Sequence, residues 1–247
     1  MEKMKLYLMI VGKVRPPHNH PSGNLPVPVY LIETDSGEYI LIDTGLSQSL
    51  VGKYGHTPSL PHMMDEDDNV GHQLATLGIA PQDIRYVICT HFDPDHAGNL
   101  ASFKNSEIVV QRRLYHAAIK GEVDRFRMTE DQWGASGLRF LLVDGDTEID
   151  PGVTVVESSG HAPGHQSVLI NLPHTGPVLL AIDAIPSQNH TDPATRPIEP
   201  FDIDESLVRE STKKLNDIRQ SEHVALTIYG HDAEQWQSLR LLPEFYD

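Results

Sequence analysis

Short apolar runs, each bounded by polar turns, recur along the whole chain and predict a set of buried strands. They occupy residues 4–14, 27–34, 39–42, 84–89, 107–111, 140–143, 154–156, 167–170, 178–182 and 224–229. Three helices are predicted between them: one that begins at Asp65 or Asp67 and ends at Gly78, a short one over 112–120, and one over about 204–219. Strands that alternate with helices favour a layered α/β fold.

Two stretches show no clear periodicity. Residues 48–64 contain prolines, methionines and histidines, and we expect either a flap over a substrate pocket or a long surface loop. Residues 121–137 carry aromatic side chains in a polar setting, which indicates an insertion packed over the sheet. A third irregular stretch, 16–21, carries His18 and His20 between prolines, and we assign these histidines to a loop rather than to a metal site.

Length, charge and cysteine content narrow the class of protein. The chain has 247 residues and nothing that resembles a linker, so we expect a single domain over 1–247. A formal net charge of −16 without a basic run argues against binding to nucleic-acid phosphates or to an anionic membrane. The single cysteine, Cys89, excludes an intrachain disulfide and a thiolate-rich zinc site. Lys13 and Arg15 follow the apolar run at 6–11 and no small-residue cleavage site does, so we expect a first strand and a cytoplasmic protein.

The densest chemistry lies at 90–99, T-H-F-D-P-D-H-A-G-N, directly after the apolar run at 84–89. Pro94 cannot donate to a strand ladder, so the segment is predicted to be a turn at the carboxyl end of a strand. Two imidazoles and two carboxylates in one turn suit divalent metal ions. The four candidate ligands are His91, Asp93, Asp95 and His96.

Three further candidate ligands also follow predicted strands. They are His161 and His231, each preceded by a glycine that allows close backbone approach, and Asp183 after five apolar residues. With the turn at 90–99 they make a binuclear metal site the simplest interpretation. Asp43, in the sequence L-I-D-T-G, either orients a ligand or caps a turn.

These motifs resemble those of the metallo-β-lactamase fold hydrolases and, within them, of the N-acyl homoserine lactone lactonases of the quorum-quenching type. The resemblance extends from Val27 nearly to the C-terminus. It is carried by L-I-D-T-G at 41–45, T-H-F-D-P-D-H-A-G-N at 90–99, V-V-Q-R at 109–112, P-G-V at 151–153, G-H-A-P-G-H-Q-S at 160–167, L-A-I-D-A at 180–184 and G-H-D-A-E-Q at 230–235.

The resemblance implies a four-layer αββα sandwich with two divalent metal ions and a small-molecule lactone or ester as substrate. The implied ligands are His91, Asp93 and His161 for the first metal, Asp95, His96 and His231 for the second, and Asp183 between them. His165 is expected to support the ligands without binding metal. A hydroxide that bridges the metals would attack the lactone carbonyl, and Asp95 would pass its proton to the ring oxygen. Either a monomer or a homodimer is compatible with the sequence.

The chain departs from the family pattern at two positions. Asp93 stands where the motif H-x-H-x-D-H has its second histidine, and Pro186 stands where related lactonases carry a tyrosine that contacts the substrate carbonyl. Two divalent ions bring four positive charges and three carboxylates return three, so the expected site is less positive than one with histidine at 93. Zinc is expected, and because a carboxylate favours harder ions, manganese or iron should compete with it better than at a histidine-rich site. Pro186 implies weaker orientation of the carbonyl or a different substrate.

Two alternatives remain open at this point. One is a hydrolase of the same fold that acts on another lactone, an ester, a thioester or a phosphodiester. A thioesterase for glutathione conjugates would need cationic residues near the site, and the acidity of the chain argues against it. The other is a non-catalytic protein with a degenerate first metal site. The amount of bound metal distinguishes the two alternatives, because a protein with a degenerate site holds one equivalent of metal or none.

Overall fold

The computed structural model describes residues 4–15, 24–51 and 62–247, and these residues form two β-sheets with helices. The first sheet has the order β4-β1-β2-β3-β5-β6-β7 and the second has the order β12-β11-β10-β9-β8. In the first sheet the strands are β1 (Lys5–Val14), β2 (Leu25–Glu33), β3 (Tyr39–Ile42), β4 (His62–Met63), β5 (Ile84–Ile88), β6 (Glu107–Gln111) and β7 (Arg139–Val143). In the second they are β8 (Thr147–Asp150), β9 (Val153–Glu157), β10 (Gln166–Leu172), β11 (Gly176–Ile182) and β12 (Leu226–Tyr229).

The helices are short except for the last. They are α1 (Val70–Thr76), α2 (Pro94–Ala97), α3 (Arg112–Ile119), α4 (Glu130–Trp133) and α5 (Glu205–Ser221). Asp204 caps α5 by accepting a hydrogen bond from Leu207 N–H at 3.0 Å. Among the described residues, no helix combines the length and the apolar character that crossing a bilayer requires.

Three apolar clusters give the fold its layers. One lies between the sheets and joins side chains such as Ile32 and Ile88 of the first sheet to Val168 and Leu180 of the second. Another covers the outer face of the first sheet with α1 and α3. The third packs Leu215 of α5 on the outer face of the second sheet. Helices, sheet, sheet and helix therefore stack in four layers, and the expected αββα sandwich is confirmed.

Most predicted strands and helices appear within a few residues of their expected positions, with two differences. The strands β4 and β8 were not predicted, because β4 has two residues and the sequence of β8, T-E-I-D, is mostly polar. The helix expected from Asp65 or Asp67 to Gly78 is shorter, since a separate 3-10 turn over Glu66–Asp68 precedes Asn69, the cap of α1. Residues 52–61 of the expected flap, and His18 and His20, lie outside the described residues.

Candidate metal centre

The segment 90–99 follows β5 and is fastened to the loop that follows β3. Gly98 N–H donates to Gly45 O at 2.9 Å, and the Asn99 side chain donates to two carbonyls of the same loop at 2.7 and 2.8 Å. A Cβ on Gly98 would lie 2.4 Å from Ser47 N, so the contact requires glycine. The expected turn is a single helical turn, α2, with Pro94 at its first position.

Seven side chains from the ends of four strands meet at one edge of the sandwich. They are His91, Asp93, Asp95, His96, His161, Asp183 and His231. Their ligand atoms form sets in which every atom lies within 4.8 Å of the others. We call His91, Asp93 and His161 the first ligand group and Asp95, His96 and His231 the second ligand group. All seven were expected from the sequence as metal ligands.

Asp183 lies between the two groups and turns one oxygen toward each. Its Oδ2 is 3.7 Å from His91 Nε2 and 3.4 Å from His161 Nε2. Its Oδ1 is 3.6 Å from His96 Nε2 and 3.1 Å from His231 Nε2. A carboxylate in this position can serve two cations at once.

The spacing within each group suits a metal ion. Asp93 Oδ2 is 3.3 Å from His91 Nε2 and 3.2 Å from His161 Nε2. Asp95 Oδ2 is 3.8 Å from both His96 Nε2 and His231 Nε2. Ligands about 2.1 Å from a tetrahedral metal are separated from one another by roughly 3.4 Å. The measured separations fall around this value.

Each of the four histidines uses its Nδ1 for a hydrogen bond and turns Nε2 to the centre. His96 Nδ1 donates to Asp43 Oδ2 at 2.7 Å, and His161 Nδ1 donates to Asp202 Oδ1 at 3.1 Å. His231 Nδ1 donates to Pro26 O at 2.8 Å. His91 Nδ1 donates to Thr90 Oγ1 at 3.0 Å, because that hydroxyl itself donates to Asp43. In the neutral imidazoles these bonds place the proton on Nδ1 and leave Nε2 with a lone pair for a metal ion.

Several of the inward-facing atoms have no hydrogen-bond partner. His91 Nε2, His96 Nε2 and Asp183 Oδ1 are fully buried and unpaired. A buried polar atom without a partner costs free energy, and lone pairs that all face one point are satisfied together by a cation. The residues present therefore fit divalent metal ions.

The mutual attraction of these groups shifts their pKa values. Burial raises the pKa of Asp183, but the neighbouring histidines outweigh it and hold the pKa well below its usual range. Burial lowers the pKa of His96, yet Asp183, Asp95 and Asp43 raise it well above the usual value. Burial also lowers the pKa of His161, but the hydrogen bonds that its ring donates to Asp202 and Asp93 outweigh burial and raise that pKa to about 9. The carboxylates stay ionised and attract cations.

Comparison with known proteins identifies the family of the chain. The profile of the metallo-beta-lactamase superfamily matches residues 22–231. The chain belongs to this superfamily. Within it, the chain is 34% identical to the N-acyl homoserine lactonase AiiA of Bacillus thuringiensis subsp. kurstaki, over 99% of this chain and 100% of that protein. It is 31% identical to the N-acyl homoserine lactonase AttM of Azorhizobium caulinodans, and each chain is covered in full, 100%.

Solved structures of superfamily members give the same result. A B. thuringiensis AiiA mutant with N-decanoyl-L-homoserine at its active site has a TM-score of 0.87 and 33% identity, over 98% of both chains. An N-acyl homoserine lactone hydrolase with its product N-hexanoyl-L-homoserine at the catalytic metal center has the same TM-score of 0.87 at 33% identity. The resemblance to lactonases inferred from the motifs is confirmed.

The sequence analysis missed one residue that contacts the ligand groups of this protein. Arg125, from the stretch expected to be an insertion, donates from Nε to Asp93 Oδ1 at 2.6 Å and to Asp93 Oδ2 at 2.9 Å. It also donates to Phe201 O and to His161 O, each at 2.7 Å. No local pattern marks Arg125, because its partners lie far away in the chain.

A second missed residue is Asp202, which lies in the loop between β11 and α5. Its Oδ1 accepts from His161 Nδ1, and its Oδ2 accepts from Glu199 N–H at 2.8 Å. An acidic residue just before a helix is usually assigned to capping, and here Asp204 has that role. The position of Asp202 beside a candidate ligand appears only in three dimensions.

The remaining expected residues lie around the ligand groups in different ways. Asp43 accepts from Thr90 and His96 and therefore contacts the site rather than only a turn. His165 bonds through Nδ1 to Ser158 Oγ at 2.9 Å, and its ring centroid is 5.1 Å from that of His91. Pro186 accepts a hydrogen bond from His231 N–H at 2.8 Å through its carbonyl.

Proposed function

We propose that this protein is a metal-dependent hydrolase that opens the ring of N-acyl homoserine lactones, a quorum-quenching activity. The observation that carries the proposal is the pair of ligand groups that share Asp183. The chain also aligns over its full length with proteins named as N-acyl homoserine lactonases. Metal-dependent hydrolysis of an ester needs no covalent nucleophile. Cys89 is not available as one, because its buried thiol donates a hydrogen bond to His91 O.

We assign the first ligand group to one divalent ion, the second ligand group to another, and Asp183 to both. Zinc suits the four histidine ligands, and the carboxylate of Asp93 raises the affinity of the site for manganese and iron relative to zinc. When bound, the two ions polarise an ester carbonyl and lower the pKa of a water molecule. His165 is proposed to pack against His91 without binding metal, and Asp43 to orient His96.

We propose Asp95 as the residue that moves the proton. Its side chain is 16% exposed, more than that of Asp93 or Asp183, so it is the ligand carboxylate most open to a water molecule or a substrate. The carboxylate of Asp95 can therefore take the proton of the attacking water and deliver it to the ring oxygen as the ester bond breaks.

The test is pH-stat titration of metal-analysed protein with short- and long-chain N-acyl homoserine lactones. We expect acid release that stops on chelation and falls by about a hundred-fold or more in Asp95→Asn, as for loss of a general base. Asp67→Asn, a carboxylate 97% exposed, is the matched control and should keep full activity. No acid release from protein that holds two metal ions would reject this substrate.

A second substrate class is favoured by Pro186. Its ring has no hydroxyl to donate to a substrate carbonyl, and its own carbonyl is already used by His231 N–H. A lactone without the acyl-amide group depends less on such orientation. We therefore propose simple γ- and δ-lactones as the alternative, and the same titration distinguishes them by comparing kcat/KM for lactones with and without the acyl amide.

A further inference from the structure

The carboxylate of Asp93 is paired with a cation that the family motif does not contain. Arg125 is nearly buried, with 9% of its side chain exposed, and its Nε donates to both oxygens of Asp93. The closer contact is to Oδ1, at 2.6 Å. Oδ2, the oxygen that faces His91 and His161, is the one left to bind a metal ion.

The same guanidinium ties together three segments of the site. Nε holds Asp93 in the turn at 90–99, and one terminal nitrogen holds the carbonyl of His161. The other terminal nitrogen holds the carbonyl of Phe201, next to Asp202, which in turn orients His161. The planar fork of arginine fits this arrangement, and a lysine ammonium does not.

Arg125 also changes the charge balance of the centre. Two divalent ions carry four positive charges, and Asp93, Asp95 and Asp183 return three, which leaves one. Adding Arg125 brings the balance to two, the value for a site with histidine at 93 and no arginine. The deficit expected from the sequence, where only the carboxylates were counted, is removed by Arg125.

We propose that Asp93 and Arg125 together form one neutral metal-binding unit that takes the place of a histidine, with Arg125 as the positioning residue. This inference rests on the metal site of the proposed function. It implies that histidine at 93 is harmful while Arg125 remains, because a buried guanidinium would then lack its carboxylate and face two metal ions.

The experiment compares zinc binding in two backgrounds. Metal-stripped wild-type, Asp93→His, Arg125→Gln and the double variant are titrated with zinc against a chromophoric chelator, which yields two stepwise dissociation constants. With Arg125 present, Asp93→His should raise one of the two zinc dissociation constants by about ten-fold or more. In the Arg125→Gln background the same substitution should change that constant by less than about three-fold. Arg113→Gln, an exposed arginine paired with Glu122, is the control and should match wild-type.

The cobalt(II) spectrum tests the positioning role separately. In Arg125→Gln the freed Oδ1 of Asp93 can join Oδ2 on the metal, so the visible absorption of the cobalt protein should weaken as the coordination number rises. A spectrum identical to that of wild-type would overturn this role. If Asp93→His does not fold, the cobalt spectrum of Arg125→Gln still decides whether Arg125 positions Asp93.

Each outcome decides the proposal. Equal effects of Asp93→His in both backgrounds would show that the two residues act independently, and tighter zinc binding in Arg125→Gln would show that Arg125 blocks the site. Either result overturns the unit. Lactone hydrolysis is not part of the comparison, so a wild-type protein that binds two zinc ions and leaves lactones intact would reject the substrate and leave this inference standing.

Discussion

Replacing Asp43 with asparagine tests how strongly residues behind the ligands control metal binding. Asp43 is buried and has a positive φ of 61°, a conformation that asparagine tolerates better than alanine does. The substitution keeps the shape of the side chain and removes one acceptor oxygen. Its effect therefore reports on hydrogen bonding rather than on backbone strain.

The magnitude follows from the three hydrogen bonds that Asp43 accepts. Thr90 N–H and Thr90 Oγ1–H each donate at 2.8 Å, and His96 Nδ1–H donates at 2.7 Å. An amide that keeps its oxygen toward the Oδ2 position retains two of them and turns its NH2 group against Thr90 N–H. Losing a buried bond to a charged acceptor costs about 1.5–3 kcal/mol, and the unpaired donor adds to this. We expect the free energy of unfolding to fall by about 2–4 kcal/mol and metal affinity to fall by about 10–100-fold.

Urea unfolding of the metal-free protein measures the first quantity, and zinc competition with a chelator measures the second. Asp67→Asn serves as the control, because a substitution at an exposed position should stay within about 0.5 kcal/mol. Unchanged zinc affinity in Asp43→Asn, with the stability loss present, would show that Asp43 supports the fold and not the ligands. Unchanged stability would refute the hydrogen-bond reasoning itself.

Three further predictions concern pH, packing and thiol reactivity. In the metal-free protein the pKa of His161 is raised to about 9, so its contribution to stability is complete below pH 6.5 and is lost as the pH rises through about 9. The free energy of unfolding from urea titrations should fall over this range by on the order of 3 kcal/mol, and less steeply in Asp202→Asn, and a flat profile would contradict this. Gly98→Ala should lower the free energy of unfolding by about 1–3 kcal/mol in thermal or urea unfolding, since its Cβ would meet backbone atoms at 2.4 and 2.5 Å; stability equal to wild-type would refute the close contact. Burial raises the pKa of the Cys89 thiol well above its usual value, so labelling by a thiol reagent at pH 8 should be slow, should follow unfolding, and should quicken after metal removal; rapid labelling of the native protein would contradict the burial.

The sequence predicts those parts of the fold in which local pattern and tertiary structure agree. Apolar runs of four or more residues become strands because both sheet faces are covered, as for β11, whose side chains alternate between the cluster between the sheets and the cluster under α5. Among the described strands, β8 lies at the edge of the second sheet and pairs with β9 alone, so a polar sequence suffices there and no apolar run marks it.

The candidate ligands could be identified from the sequence because each follows a strand end with a distinctive neighbour. Arg125 and Asp202 could not be identified in this way, because their contacts are distant in the sequence. The partners of Arg125 lie 32 to 76 positions away, and His161 lies 41 positions from Asp202. Such contacts depend on how two loops pack over the sheet edge. The charge argument built on Asp93 alone was incomplete for this reason.

The hydrogen bond from His231 Nδ1 to Pro26 O spans 205 positions and joins distant parts of the sequence at the second ligand group. During synthesis the other six candidate ligands leave the ribosome before His231, and Pro26 O lacks its hydrogen-bond partner until then. The second ligand group is therefore complete only after residue 231 has been synthesised. We expect ribosome-bound chains that stop short of residue 231 to hold less metal than the released protein.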